Sequence, residues 1–106
     1  MLVKPNQNIS RYPVPEFDTL PEDIKEIFVG AQKHMGFVPN VLLALSHRPD
    51  ELRAFMAYHN ALINKETGIS TADQAMLVAA FSNYNGCTYC VVSHGTALRL
   101  ATQYSY

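Results

Sequence analysis

Apolar residues recur at helical spacing along most of the chain after residue 20. The clearest stripe lies between Pro49 and Lys65, where residues on one helical face recur every three or four positions: Leu52, Phe55, Met56, Leu62 and Ile63, with His59 on the same face. A similar period begins at Pro21, which suits the first position of a helix, and Gly36 suits its end. No alternating strand pattern stands out, so the sequence predicts an all-α fold.

Three further helices are predicted by the same criteria. A short one covers Val38 to Leu45, a fourth follows Ser70, and a fifth runs from near Cys87 towards Thr102. Ser70 followed by Asp73 resembles a weakened capping box, because Asp is shorter than the usual Glu or Gln. The six consecutive apolar residues from Met76 to Phe81 predict that the fourth helix is covered on more than one side.

The first twenty residues contain three prolines and show no helical period. Proline fixes φ and lacks an amide donor, so this stretch is predicted to be an extended arm. Tyr12, Val14 and Phe17 can pin the arm to a neighbouring surface. We therefore expect an arm over 1–20 and a helical domain over 21–106.

Composition narrows the class of protein. The chain has 106 residues, of which 48% are hydrophobic and 16% charged, so we expect one folded domain and not a disordered chain. The formal net charge is -1 without a dense Lys/Arg run, which argues against nucleic acid or an anionic membrane as partner. The sequence has neither a signal-peptide pattern nor an apolar run long enough to span a membrane. These features predict a soluble, cytoplasmic protein.

The strongest candidate for chemistry is the segment from Cys87 to His94, which reads Cys-x-x-Cys-x-x-x-His. On a helix of about 3.6 residues per turn, Cys87 and Cys90 lie one turn apart and His94 one turn further, so all three can meet. A helix N-terminus favours thiolate over thiol. Such a thiolate can attack a peroxide, become a sulfenic acid, and be resolved by the second cysteine into a disulfide.

Two other interpretations of this segment stay open. The same residues belong to an ordinary apolar stripe with Val91 and Leu98, in which cysteine acts as a small hydrophobe. Cys87, Cys90 and His94 can also supply three zinc ligands, but no fourth follows at a recognised spacing, so no metal or other cofactor is predicted. Helical patterns on both sides of the motif exclude the βαβ context of a thioredoxin-like fold.

The remaining histidines and two tyrosines are less informative. His59 lies on the stripe of the third helix and can reach the cysteines if the two helices pack, although a hydrogen-bonded core role is more common. Tyr58 and Tyr89 are expected to pack in the interior. His34 and His47 fall near helix ends, where surface capping is expected.

The combined pattern resembles the alkylhydroperoxidase AhpD-like and carboxymuconolactone decarboxylase superfamily. The Cys-x-x-Cys-x-x-x-His motif at the start of a helix, after an apolar helix and a Gly-Cys junction, carries the resemblance. Four upstream segments look like those of its peroxidase-related branch: Arg11-Tyr12-Pro13-Val14-Pro15, Gly36-Phe37-Val38-Pro39-Asn40, His47-Arg48-Pro49 and Ala57-Tyr58-His59. The resemblance covers the chain from Ile9 to about Leu100.

The resemblance implies an AhpD-like helical bundle that forms a homo-oligomer and acts as a thiol-dependent peroxidase. Its substrate would be a hydroperoxide, and an unknown thiol or dithiol would reduce it again. By position, Cys90 matches the peroxidatic cysteine, Cys87 the resolving one and His94 the proton-relay histidine. The order stays open on physical grounds, because the helix dipole favours a thiolate at Cys87 whereas proximity to His94 favours Cys90.

Two features depart from the family pattern. The family's relay glutamate lies twelve residues before the first cysteine, where this chain has Ala75, and Asp73 and Gln74 point elsewhere around the helix. Members of the branch also carry further helices after the cysteine helix. We therefore expect a truncated or variant bundle, or one that buries its exposed face between subunits. A binding or assembly module with weakened catalysis is the alternative function, and a lactone-type decarboxylase is a third class.

Overall fold

Five α-helices make up the regular structure in the computed structural model, which describes residues 9–64 and 68–102. They are preceded by a 3-10 turn at Phe17–Thr19 and are α1 (Glu22–Met35), α2 (Asn40–Leu45), α3 (Pro49–Ile63), α4 (Thr71–Tyr84) and α5 (Thr88–Thr102). No β-strand occurs within these described ranges. The predicted all-α class and the five predicted helices are confirmed. The predicted end of the third helix at Lys65 lies outside the described residues.

The chain divides into two compact units, the first ending at Asn60 and the second beginning at Ala61, within α3. The first unit contains α1, α2 and most of α3, and the second contains α4 and α5. The boundary expected between 1–20 and 21–106 stays a prediction. In the part of the chain that the structure describes, no helix combines the length and the apolar character needed to cross a membrane.

The core of the first unit joins α1, α2 and α3. Ile24 and Phe28 lie one turn apart on α1 and are 0% and 3% exposed, and they cluster with Leu20, Leu42 and Leu52. A fully buried side chain of this kind stabilises the fold by about 1.5–3 kcal/mol relative to an exposed one. Leu52, Phe55 and Met56 of the predicted third-helix stripe therefore meet α1 in this core, whereas Leu62 of the same stripe is 48% exposed.

Local capping sets both ends of α1. Pro21 is the N-cap, one residue before the first helical residue, and its carbonyl accepts the Lys25 amide at 3.0 Å. Gly36 ends the helix with a φ of 83°, and its amide donates to the Gln32 carbonyl at 3.0 Å. Because this left-handed conformation favours glycine, the predicted stop at Gly36 is confirmed.

α2 begins at Asn40, two residues after the predicted start at Val38. A proline disfavours the helical region for the residue before it, which excludes Val38. Pro39 itself is extended, with a ψ of 141°, and acts as the N-cap. The boundary therefore follows from Pro39 and not from the apolar pattern.

An ion-pair cluster connects α1 to α3. The Arg53 guanidinium donates from Nε and Nη2 to the two carboxylate oxygens of Asp23 at 2.6 and 3.0 Å, and from Nη1 to Asp50 Oδ1 at 2.7 Å. The hydrogen bonds from Arg53 lower the pKa of the Asp23 carboxyl, and those to Asp23 and Asp50 raise the pKa of Arg53. A two-point contact of this kind constrains the orientation of the two helices more than a single contact does.

The described part of the arm, residues 9–20, packs within the first unit. Val14 is 6% exposed, and the Tyr12 ring stacks on His47 with centroids 4.8 Å apart and planes inclined by 6°. His47 Nδ1 donates to the Ala44 carbonyl at 2.7 Å, because a carbonyl oxygen can only accept. His47 therefore caps the end of α2, as its position near a helix end predicts.

The second unit is a hairpin in which α4 packs against α5. Ser70 is the N-cap of α4, and its Oγ accepts the Asp73 amide at 3.1 Å. This contact is the side-chain half of the predicted capping box. The turn at residues 85–87 reverses the chain between the two helices.

α4 carries apolar residues on both faces. Its buried residues are Ala75 and Ser82, two turns apart. Met76, Leu77 and Phe81 are 52%, 43% and 66% exposed. The prediction that this helix is covered on more than one side is therefore wrong within the second unit, because the run of apolar residues extends onto a face that α5 does not cover.

Candidate active site

The short turn at residues 85–87 places Cys87 at the start of α5. Turn amides bind carbonyls in the last turn of α4, with Asn85 donating to Phe81 at 2.9 Å, Gly86 to Asn83 at 3.1 Å and Cys87 to Ser82 at 2.9 Å. Gly86 has a φ of 70°, a left-handed conformation that favours glycine. The helix break predicted at Asn85-Gly86 is confirmed, and it fixes where α5 begins.

Cys87 caps α5 with its own sulfur. The residue stands immediately before Thr88, the first residue of the helix, and its carbonyl accepts the Val91 amide at 3.0 Å. Cys87 Sγ accepts the Cys90 amide at 3.3 Å. The sulfur therefore holds the place that a Ser or Asp oxygen takes at other helix N-termini.

Cys87 and Cys90 are joined by a disulfide bond, and their Cα atoms lie 5.4 Å apart. Both side chains are half-buried. The two sulfurs thus lie on the same side of the first turn of α5, as the helical spacing predicts. An intramolecular disulfide at this spacing is the oxidised form that a dithiol cycle requires.

His94 lies on α5 four residues after Cys90 and is half-buried. Residues four apart project from the same face of a helix, so His94 lies on the face that carries Cys90. Its role as a proton relay stays a prediction. Among the residues that the structure describes, no group of three or more His, Cys, Asp and Glu side chains is arranged to hold a metal ion.

A comparison with known protein families places the segment that contains this motif in one family. Residues 49–102 match the model of the carboxymuconolactone decarboxylase family, and this segment includes both cysteines and His94. The chain belongs to the carboxymuconolactone decarboxylase family. A comparison with curated proteins finds no match.

Two solved structures resemble this family member over nearly its whole length. A protein from Ralstonia eutropha JMP134, described as an alkylhydroperoxidase AhpD core and an uncharacterized peroxidase-related protein, is 53% identical with a TM-score of 0.85. That match covers 90% of this chain and 50% of the relative. An uncharacterized peroxidase-related protein from Silicibacter sp. TM1040 is 33% identical with a TM-score of 0.79, covering 96% of this chain and 53% of the relative. The AhpD-like fold is confirmed, and the chain spans about half the length of these relatives.

The position at which the family resemblance expects a relay glutamate holds Ala75, which is 6% exposed on α4. Asp73 is the only acidic residue in the sequence of α4. Its side chain is exposed in the first turn, beside the Ser70 cap. Because the buried face of α4 has no carboxylate, this helix does not supply one at the expected position.

The histidines and tyrosines outside the motif have other surroundings. His59 lies in the first unit and stacks on Phe55 with ring centroids 5.9 Å apart, and its contact with the cysteines stays a prediction. His34 is exposed near the end of α1. Tyr58 and Tyr89 are 69% and 48% exposed, so the expected interior packing is wrong.

Sequence reasoning did not identify two backbone groups of the site. The Ser82 carbonyl accepts a hydrogen bond from the Cys87 amide, and the Cys90 amide donates one to the Cys87 sulfur. The available signal was the spacing itself, because a polar side chain at an N-cap accepts an amide two or three residues later. Cys87 followed three residues later by Cys90 fits that rule.

Proposed function

We propose that this family member is a thiol-dependent peroxidase that reduces hydroperoxides through the Cys87–Cys90 pair. The observation that carries the proposal is the disulfide at the start of α5, on the helix that also holds His94. The description of both relatives as peroxidase-related proteins supports it.

The proposed cycle keeps all redox chemistry on sulfur. A cysteine thiolate attacks an oxygen of the hydroperoxide, the O–O bond breaks, and the cysteine becomes a sulfenic acid while the leaving alkoxide takes up a proton. The second thiol attacks the sulfenic sulfur, closes the disulfide and releases water. An external thiol or dithiol returns two electrons and two protons and is itself oxidised to a disulfide. This cycle needs no metal or organic cofactor, and a reducing compartment such as the cytoplasm suits it.

His94 is the proposed proton relay of the cycle. A neutral imidazole can accept the proton of the attacking thiol and return it to the leaving oxygen. Its place on the face of α5 that carries Cys90 favours this role over one at a distant site.

Peroxide consumption with dithiothreitol as reductant tests the proposal. We expect Cys90→Ser to lose at least about tenfold in turnover, because the disulfide can no longer close. His94→Asn should lose roughly a hundredfold, in the range of general acid–base catalysis. Ser93→Ala, at an exposed position of the same helix, is the matched control and should retain turnover.

Unchanged turnover in Cys90→Ser would contradict the proposal. A wild-type protein in which peroxide forms no disulfide would also contradict it, and it would make the lactone-type decarboxylase the better function.

An assembly or binding module with weakened catalysis is the second candidate function. Ala75 at the relay position and the exposed face formed by Met76, Leu77 and Phe81 favour it. A contiguous apolar patch of this kind marks a binding surface, and we propose that a second copy of the chain covers it.

Light scattering coupled to size-exclusion chromatography tests the assembly. The wild type should have the mass of an oligomer, and Phe81→Glu should lower that mass towards one chain, whereas Asn83→Ala, exposed on the same helix, should not. A monomeric wild type at micromolar concentration would contradict the oligomer.

A further inference from the structure

The turn between α4 and α5 ties Ser82 to Cys87. The Cys87 amide donates to the Ser82 carbonyl at 2.9 Å, the Gly86 amide donates to the Asn83 carbonyl at 3.1 Å, and Gly86 has a φ of 70°. These two bonds and the left-handed glycine form a Schellman motif, in which the side chains of the two residues joined by the outer bond commonly contact each other. Because those residues are Ser82 and Cys87, the motif favours a Ser82 side chain beside the disulfide.

Ser82 is one of two buried polar residues in the part of the chain that the structure describes. The other, Ser46, is 1% exposed, and its hydroxyl donates to the Leu43 carbonyl at 2.6 Å. Thr96 and Thr102 of α5 likewise donate to carbonyls one turn earlier, at 2.9 and 2.8 Å. Ser82 is 8% exposed, and its hydroxyl has no hydrogen-bond partner among the described residues. Buried polar side chains are hydrogen-bonded in most proteins, so this unpaired hydroxyl needs a reason.

The Ser82 hydroxyl is still reachable from outside. Every side-chain nitrogen or oxygen that is fully buried in the described chain has a hydrogen-bond partner. The Ser82 oxygen has no such partner, so it retains a small accessible area although the residue as a whole is buried. A small molecule with a polar atom can therefore bind this hydroxyl.

The hairpin around the disulfide offers few other groups that can stabilise charge on a substrate. The sequence from 74 to 98 contains no Asp, Glu, Lys or Arg, and the buried residues of α4 are Ala75 and Ser82. When a peroxide O–O bond breaks, negative charge develops on the leaving oxygen, and a donor directed at that oxygen lowers the barrier. Besides the imidazole of His94, the Ser82 hydroxyl is the side-chain donor on the buried face of α4 that can take this position.

We propose that the Ser82 hydroxyl binds the hydroperoxide and donates a hydrogen bond to its leaving oxygen. This inference rests on the proposed peroxidase function. In the attack, a thiolate of the Cys87–Cys90 pair forms an S–O bond to one peroxide oxygen, the O–O bond breaks, and the other oxygen leaves with the electron pair. The hydrogen bond from Ser82 stabilises that charge until His94 supplies the proton. Ser82 keeps its own proton and is not oxidised.

Ser82→Ala removes the hydroxyl and keeps the backbone carbonyl that binds the Cys87 amide. Ser93→Ala, which removes an exposed hydroxyl from α5, is the matched control. The measurement is the rate at which the reduced protein forms its disulfide with hydrogen peroxide. We expect Ser82→Ala to lose about ten- to a hundredfold, as for the loss of a hydrogen bond to a charged atom, and Ser93→Ala to keep the wild-type rate.

Alkylation by iodoacetamide separates a contact with the substrate from an effect on the cysteines or on the fold. Iodoacetamide reacts with the same thiolates but carries no peroxide oxygen, so we expect Ser82→Ala to be alkylated at the wild-type rate. An equal loss in both reactions would overturn the proposal, because Ser82 would then act through the cysteines or the fold. An unchanged rate with peroxide would also overturn it, because the hydroxyl would then bind water alone.

A change of leaving group tests the hydrogen bond to the leaving oxygen. Hydrogen peroxide releases hydroxide, whereas peracetic acid releases acetate, a much weaker base that needs less stabilisation. We expect the loss of rate in Ser82→Ala to be several-fold smaller with peracetic acid than with hydrogen peroxide. Equal losses with the two oxidants would overturn the contact with the leaving oxygen.

The wild-type protein distinguishes failure of this inference from failure of the proposed function. A wild type that forms no disulfide with peroxide overturns both. A wild type that forms the disulfide at the same rate as Ser82→Ala leaves the peroxidase in place and overturns the role of Ser82 alone.

Discussion

Replacing Ala75 by glutamate tests whether the site lacks one carboxylate and is otherwise complete. α4 and α5 are joined by the turn at residues 85–87 and pack as an antiparallel hairpin. Ala75 lies about 13 Å along α4 from its end at Tyr84, at about 1.5 Å per residue. His94 lies about 9 Å along α5 from its start at Thr88. The two positions therefore differ by about 4–5 Å along the hairpin, which an extended glutamate side chain can span.

The expected gain in peroxide turnover follows from this geometry. A positioned acid or base contributes about 10²- to 10⁴-fold to a proton-transfer step. Because the glutamate acts through His94, we expect the lower end of that range, about a hundredfold in peroxide turnover over Ala75→Gln. Ala75 is 6% exposed, so both substitutions overpack the site and should lower the free energy of unfolding by about 1–3 kcal/mol.

The assay compares Ala75→Glu with Ala75→Gln, which has nearly the same shape without the charge. Initial rates of hydroperoxide loss with excess dithiothreitol report turnover, and urea denaturation reports the stability of each variant. Equal rates in two folded variants would show that the missing carboxylate does not limit proton transfer through His94. Such a result would favour the assembly module over an efficient enzyme.

Three further predictions concern the fold. Leu52→Ala should lower the free energy of unfolding by about 2–5 kcal/mol in urea denaturation, because Leu52 is 0% exposed. Val29→Ala, at a 52% exposed position, should change it by less than about 0.5 kcal/mol, and equal losses would contradict the core. Ser70→Ala should remove about 1 kcal/mol, and Ser70→Asp, which keeps an acceptor, should restore it; no difference between them would argue against the cap. Because Arg53 lowers the pKa of Asp23, its stabilisation is present above the ordinary value of 3.8 and is lost as the pH falls below it. Asp23→Asn should therefore lose less stability on acidification than the wild type, and equal acid sensitivity would exclude this contribution.

Features controlled by nearby residues could be predicted from the sequence. Gly36 ends α1 and Ser70 caps α4 as expected, because each acts on backbone groups within a few residues. The same holds for the Cys87–Cys90 disulfide, since three residues of helix suffice to bring the two sulfurs together.

Features that depend on distant residues could not be predicted. Arg53 binds Asp23 across thirty residues of sequence, and no local period indicates that pairing. Phe81 belongs to an apolar run, but a run alone does not determine which of its members face the partner helix. The sulfur cap at Cys87 is an intermediate case, because the spacing allowed it while the amide direction required the structure.

Intact-mass spectrometry of the reduced protein after one equivalent of hydroperoxide shows whether peroxide oxidises the Cys87–Cys90 pair. We expect the loss of two hydrogens, with Cys87 and Cys90 joined in one peptide and protected from alkylation. A protein that keeps two alkylatable thiols after peroxide treatment, or that gains oxygen atoms without forming this disulfide, would contradict this expectation.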